Sequence, residues 1–252
     1  MRTAIRAFLL LSILIGTGQA ATRSDINTIE AAEKIRYLSQ KIAKSYLYLY
    51  SRPQHSEIKN KISDMVEDLG NNFSIIASST DDDNTKDLLK YLEYNKNNIK
   101  TLLSQKVSKK NSALILDYSE ILLEGGESIA REHSYSFNKE ETMLMNIKKY
   151  EFLTERLGKF YMASSLGALS QTNRKKMEET KKTLEHGLKT ILAYKYPTQL
   201  EKQKKELNLF WSTNKHILAH AYDMFIPNLM DVSNNYFEHL LAGFALYHSK
   251  KQ

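Results

Sequence analysis

His216 and His220 stand four residues apart in a stretch with helical apolar spacing, so their imidazoles share one face at a distance that suits a metal ion. The segment lacks the H-E-x-x-H pattern and offers no third ligand, which favours partly exposed or hydrogen-bonded side chains; no metal and no cofactor is expected. Asp81, Asp82 and Asp83 lack the Gly and closing Glu of a calcium loop and stand where acids favour the start of a following helix. The absence of Cys excludes a disulfide framework, a zinc–thiolate site, an iron–sulfur centre and a cysteine nucleophile. No nucleophile–base–orienter set, phosphate loop or paired carboxylates stand out, so the chain is read as non-enzymatic.

The elements that carry these residues are helices. Among 252 residues there are only nine Gly and three Pro, too few for the frequent turns of a barrel or sandwich, and no window alternates with period two. Arg2 and Arg6, the apolar run Phe8 to Ile15, and the small residues Gly18 and Ala20 form a secretory signal peptide over 1–20, shorter than a membrane span. A periplasmic, exported chain is expected to begin at Ala21. Apolar stripes then follow at spacings of three and four. The first runs from Ile26 to Leu49 and stops before Pro53, and the second runs from Ile58 to Ile76. A third stripe covers Leu88 to Leu103, and a fourth helix is expected from about Ala113 to Ser134, with Gly125-Gly126 a weak point inside it.

After Phe137-Asn138 the pattern restarts. With a shift of 115 residues, Lys34 falls on Lys149, Ser39 on Thr154, Lys41 on Arg156 and Lys44 on Lys159. The apolar positions Ile62, Leu69, Phe73 and Ile76 fall on Met177, Leu184, Leu188 and Ile191. For the last helix a shift of 114 aligns Asp117, Ser119 and Glu124 with Asp231, Ser233 and Glu238. A constant offset over several helices, polar positions included, indicates duplication. The expected fold is all-α: two tandem antiparallel four-helix bundles, over 21–137 and 138–252.

The segment Ala32-Glu33-Lys34-Ile35-Arg36-Tyr37-Leu38-Ser39-Gln40-Lys41-Ile42-Ala43-Lys44 resembles the A-G-x-x-R-M-L-S-Q-R-[IM]-A-K signature. That signature opens the periplasmic sensor domain shared by NarX-like nitrate/nitrite sensor kinases and PilJ-like type IV pili chemotaxis transducers. Unit two keeps a degenerate version from Tyr150 to Lys159. The resemblance implies a four-helix up-and-down bundle and a small oxyanion or metabolite held by Arg36, with Gln40, Lys41 and Arg156 as further ligand positions. A guanidinium suits that task, being permanently charged and presenting a planar fork of donors. Two departures bear on it. The family's Gly is Glu33, one turn before Arg36, and the duplicate of Arg36 is Glu151, so Arg36 is either an anion ligand or paired with one of these carboxylates.

The net charge is +7 and unevenly spread. Residues 21–137 hold 16 Lys/Arg against 17 Asp/Glu, net −1, and residues 138–252 hold 18 against 12, net +6. The excess gathers at Arg174, Lys175, Lys176, Lys181 and Lys182 and at Lys202, Lys204 and Lys205. It is either a solvated face or a surface for peripheral membrane contact or an acidic partner, while nucleic acid is not expected for an exported chain. Two functions remain in view. One is a sensor-like binding module acting through a membrane receptor or other envelope protein. The other is a structural or adaptor protein with no small-molecule ligand.

Overall fold

A computed structural model describes residues 23–219 and 226–251. The described residues form helices joined by short loops, with no strand among them. They are α1 (Arg23–Ser51), α2 (Glu57–Ser79), α3 (Asp83–Ser104), α4 (Lys109–Glu132), α5 (Lys139–Ser165), α6 (Gln171–Ala193), α7 (Thr198–Ala219) and α8 (Pro227–Ser249). The fold class is therefore all-α. Residues 1–20, read from the sequence as a signal peptide, and His220 lie outside the described residues, as does the side chain of His216. No helix is long and apolar enough to cross a membrane, and no three metal-ligating side chains gather among the described residues.

Local chemistry sets the ends. Arg52-Pro53 stops α1, because the residue before proline is pushed out of helical dihedrals. Asp82 caps α3 by accepting from the Thr85 amide at 2.7 Å, so the acidic loop serves as a cap. Ser108 caps α4 through the Asn111 amide, which starts that helix at Lys109, four residues earlier than the apolar stripe indicates. Asn138 and Glu141 form a reciprocal capping box on α5. Pro227 fills the first turn of α8, where its missing N–H costs nothing.

Helices α1 to α4 pack in a ring, α1 on α2, α2 on α3, α3 on α4 and α4 back on α1, around Ile35, Ile42, Ile62, Leu69, Leu92 and Ile115. In the second set α5 packs on α6 and α8, and α7 on α8, around Leu153, Phe160, Leu184, Leu207, Phe237 and Phe244. Its ring is looser, since α7 leans on α8 and makes little contact with α6. The two sets meet where α1 packs along α5, and Leu47, Leu116 and Leu123 of the first set enter the second set's core.

Gly125 and Gly126 are not a weak point. Helix α4 runs through both, and a Cβ would come within 2.5 Å of Leu92 at the first and 2.9 Å of the Arg36 stem at the second. Their lack of a side chain lets α4 lie close on α1 and α3. The shift of 114 for the last helix is also corrected. Buried positions 112, 115, 119, 122, 125, 126 and 129 recur at 227, 230, 234, 237, 240, 241 and 244, so a shift of 115 holds for α4 on α8. Of the polar letters that matched at 114, Asp117 and Glu124 are exposed while Asp231 and Glu238 are half-buried, whereas burial follows the face that packs.

Candidate inter-unit site

The α1/α5 joint is polar. From α1 it receives Gln40 and Lys44, one helical turn apart, and from α5 their counterparts Glu155 and Lys159. Lys44 is 1% exposed, and Glu155 and Lys159 are 0% exposed. Charges taken this far out of water require partners. Lys44 reaches Glu155 and, from α8, Asp231, both at 3.0 Å. Lys159 reaches Glu120 of α4 at 2.6 Å and Ser119 Oγ at 3.0 Å. Each unit's first helix thus pairs with the other unit's last helix.

The four residues expected to bind an anion do not converge on one open site. Arg36 pairs with Glu33 at 2.6 Å and, more loosely, with Glu127 at 3.8 Å, and its guanidinium carbon stacks 4.1 Å over the Phe152 ring. It therefore pairs one turn back along its own helix and not with Glu151. Lys41 donates to Glu238 at 2.7 Å and to the Tyr37 hydroxyl at 2.5 Å. Gln40 donates to the Ser119 carbonyl at 2.9 Å and to Ser39 Oγ at 3.0 Å. Arg156 grips Glu120 with two donors, at 2.6 and 3.3 Å. The structure brings Gln40 and Arg156 into one network, through Ser119, Lys159 and Glu120, places Lys41 beside Glu238 and 3.8 Å from Glu155, and leaves Arg36 in a separate setting.

Electrostatics follows from this wiring. Burial disfavours the charge of Glu120, but Lys159 and Arg156 outweigh it and hold the carboxyl well below the usual range. Burial pulls Lys159 down to about 8 against the attraction of Glu120. Burial pushes Glu155 up to about 8 against the pull of Lys44, with the neighbouring Glu238 adding to the rise. Glu155 and Glu238 hydrogen-bond each other and Glu238 Oε1 is buried without another donor, the arrangement expected when two carboxyls share one proton.

Spacing rules did not single out Lys44, Glu120, Glu155, Lys159 or Glu238 as members of a network. They also missed two matching clasps. His133, at the end of α4, contacts Asp25 at 3.3 Å through Nδ1 and Thr85 Oγ1 at 3.3 Å through Nε2. His248, at the end of α8, contacts Glu140 at 2.6 Å through Nδ1 and the Tyr196 hydroxyl at 3.2 Å through Nε2. His133 and His248, like Asp25 and Glu140, are 115 residues apart, so the repeat offset was the signal available for them. Each set orders a hydroxyl, an imidazole and a carboxylate as a catalytic triad would. However, Thr85 and His248 are fully buried and Tyr196 nearly so, which makes these ties between helix ends and not open reactive centres.

A cleft of about 440 Å³ opens beside the joint between α1, α5 and α8. Its charged lining mixes Lys34 and Lys148 with Glu33, Glu151 and Glu238, next to Tyr37. A larger groove of about 1450 Å³ runs between α2 and α3, its charged rim closing over Val66, Phe73, Leu89 and Leu103. No family model, curated protein or solved structure matches this chain.

Proposed function

We propose that this chain is an exported, non-enzymatic, sensor-like binding module of two duplicated helical bundles, acting through a membrane receptor or other envelope partner. The observation that carries the reading is the joint. The signature-like segment of α1 lies along its degenerate copy in α5, and the 440 Å³ cleft opens where they meet α8. That volume lies within the range of small-molecule sites. The repeat of helix positions, burial and His–carboxylate clasps at one offset supports the duplication, and the likeness of Ala32–Lys44 to the NarX/PilJ signature supports the sensor kinship.

The adaptor reading, with no small-molecule ligand, is favoured by a different observation. Arg36, Lys41 and Arg156 are already neutralised by protein carboxylates, so an oxyanion would have to displace Glu33 from a 2.6 Å ion pair to reach the Arg36 guanidinium. Thermal shift of the purified protein against oxyanions, amines and amino acids separates the two, because a ligand that binds only the folded state raises Tm. A saturable rise supports the module. Capture of one envelope protein that is indifferent to every compound, with no rise anywhere, supports the adaptor. Sequencing the exported chain tests the leader, with Ala21 expected first.

A further inference from the structure

The joint's other charges are paired, but the cleft keeps three that are not. Lys34, Lys148 and Glu151 all line it, and none makes an ion pair within 4.0 Å among the described residues. Glu151 is half-buried and makes no hydrogen bond among the described residues, and burial pushes its carboxyl up from the usual range. Glu33, nine-tenths buried at the cleft's edge, keeps Oε2 unpartnered. Unpaired charge of both signs in one concavity matches a molecule that carries both signs.

The fold also supplies a template for what fits there. At the repeat offset Phe152 corresponds to Tyr37, Arg36 to Glu151 and Glu127 to Ala242. In one copy of this corner the Arg36 guanidinium stacks on Phe152 and faces Glu127. In the other copy the tethered cation is replaced by a carboxylate, the facing acid is cut back to a methyl group, and a cleft stands open beside the Tyr37 ring. That ring already accepts an ammonium, since the exposed Lys34 holds Nζ 4.8 Å from its centroid.

We propose that this cleft binds a small dipolar molecule of the amino-acid class. Its guanidinium or ammonium group lies on Tyr37 against Glu151, and its carboxylate meets Lys148 and a displaced Lys34. The inference rests on the binding-module reading and gives that module a dipolar ligand in place of an oxyanion.

The test is titration calorimetry of the whole protein with arginine, with agmatine, which lacks the carboxylate, and with citrulline, which lacks the guanidinium charge. Arginine is expected to bind saturably, and each analogue at least about tenfold more weakly, as expected when one charge-assisted contact is lost. Glu151→Gln is expected to weaken arginine by a similar factor while leaving the unliganded Tm in place. Glu151→Arg puts a guanidinium in the cleft where the ligand's cation is placed, without the carboxylates that pair with Arg36, and is expected to abolish arginine binding. Absence of arginine binding by the folded protein, or equal affinity in wild type and Glu151→Gln, overturns the proposal. If nitrate or another oxyanion raises Tm while arginine does not, the dipolar assignment fails and the binding module stands. If nothing binds and an envelope protein is captured, both fail.

Discussion

Glu120 accepts from Arg156, Lys159 and Lys176, all within 2.7 Å, and so holds together cations from α5 and α6. A buried ion pair contributes little net stability compared with an apolar substitute, but removing one partner strands the other. Glu120→Leu is therefore expected to destabilise by about 3–5 kcal/mol in urea unfolding, because fully buried Lys159 loses its carboxylate partner. Lys159→Met is expected to cost about 1 kcal/mol or less, since Glu120 keeps Arg156 and Lys176. Equal losses for the two would refute this wiring. Glu155 gives a pH signature. Its folded pKa, about 8, lies above its ordinary value of 4.5, so between those limits the native state holds the extra proton. Stability from this group is thus complete below the unfolded value and is lost as pH rises through the folded one. Glu155→Gln keeps the neutral shape, and Tm measured from pH 5 to 9 should show the variant gaining on wild type as pH rises. Parallel curves would rule out a protonated Glu155. Charge and spacing made Arg36 and Lys41 stand out in the sequence; Glu33, one turn before Arg36, was legible there as its partner, but Glu238, which meets Lys41, lies 197 residues away and was not.

At the scale of elements, the helices were legible because a 3.6-residue apolar period needs no tertiary information. Each His clasp ties a helix N-terminus, a helix C-terminus and an intervening loop or first turn. His248→Ala removes a fully buried ring from between Glu140 and Tyr196, and is expected to cost about 2–4 kcal/mol, with faster amide exchange in the last turns of α8. His133→Ala, whose side chain is 13% exposed and whose contacts are 3.3 Å or longer, should cost less. If both variants lose equally, exposure does not grade the clasps. Burial lowers the His248 pKa against the pull of Glu140, so protonation works against the fold. Its contribution is present above the unfolded value of 6.5 and fades as pH falls through the lower folded value. The looseness between α6 and α7 was not legible. Both helices carry an apolar stripe, and which neighbour each leans on depends on side-chain fit, such as Gln203 donating to the Leu240 carbonyl beside Gly243.

For the molecule as a whole, the polar joint couples the two sets of helices. Lys44 finds its acids in α5 and α8, and Leu47, Leu116 and Leu123 finish the second core, so either half alone would expose desolvated charge and apolar surface together. A single calorimetric transition is expected, with calorimetric and van't Hoff enthalpies equal; two separated transitions would mean that the halves fold independently. The all-helical class, the helix ends at Pro53, Asp82 and Asn138, and the restart after 115 residues were determined by the sequence, because period, capping and repetition are local properties of a chain. Which cations meet which acids was decided only by the tertiary structure. So were the place of Gly125 and Gly126 in a close helix contact and the one corner that keeps an open cleft. Ion pairing and burial depend on distances of a few ångströms between residues a hundred or more positions apart, and only the packed fold sets those distances.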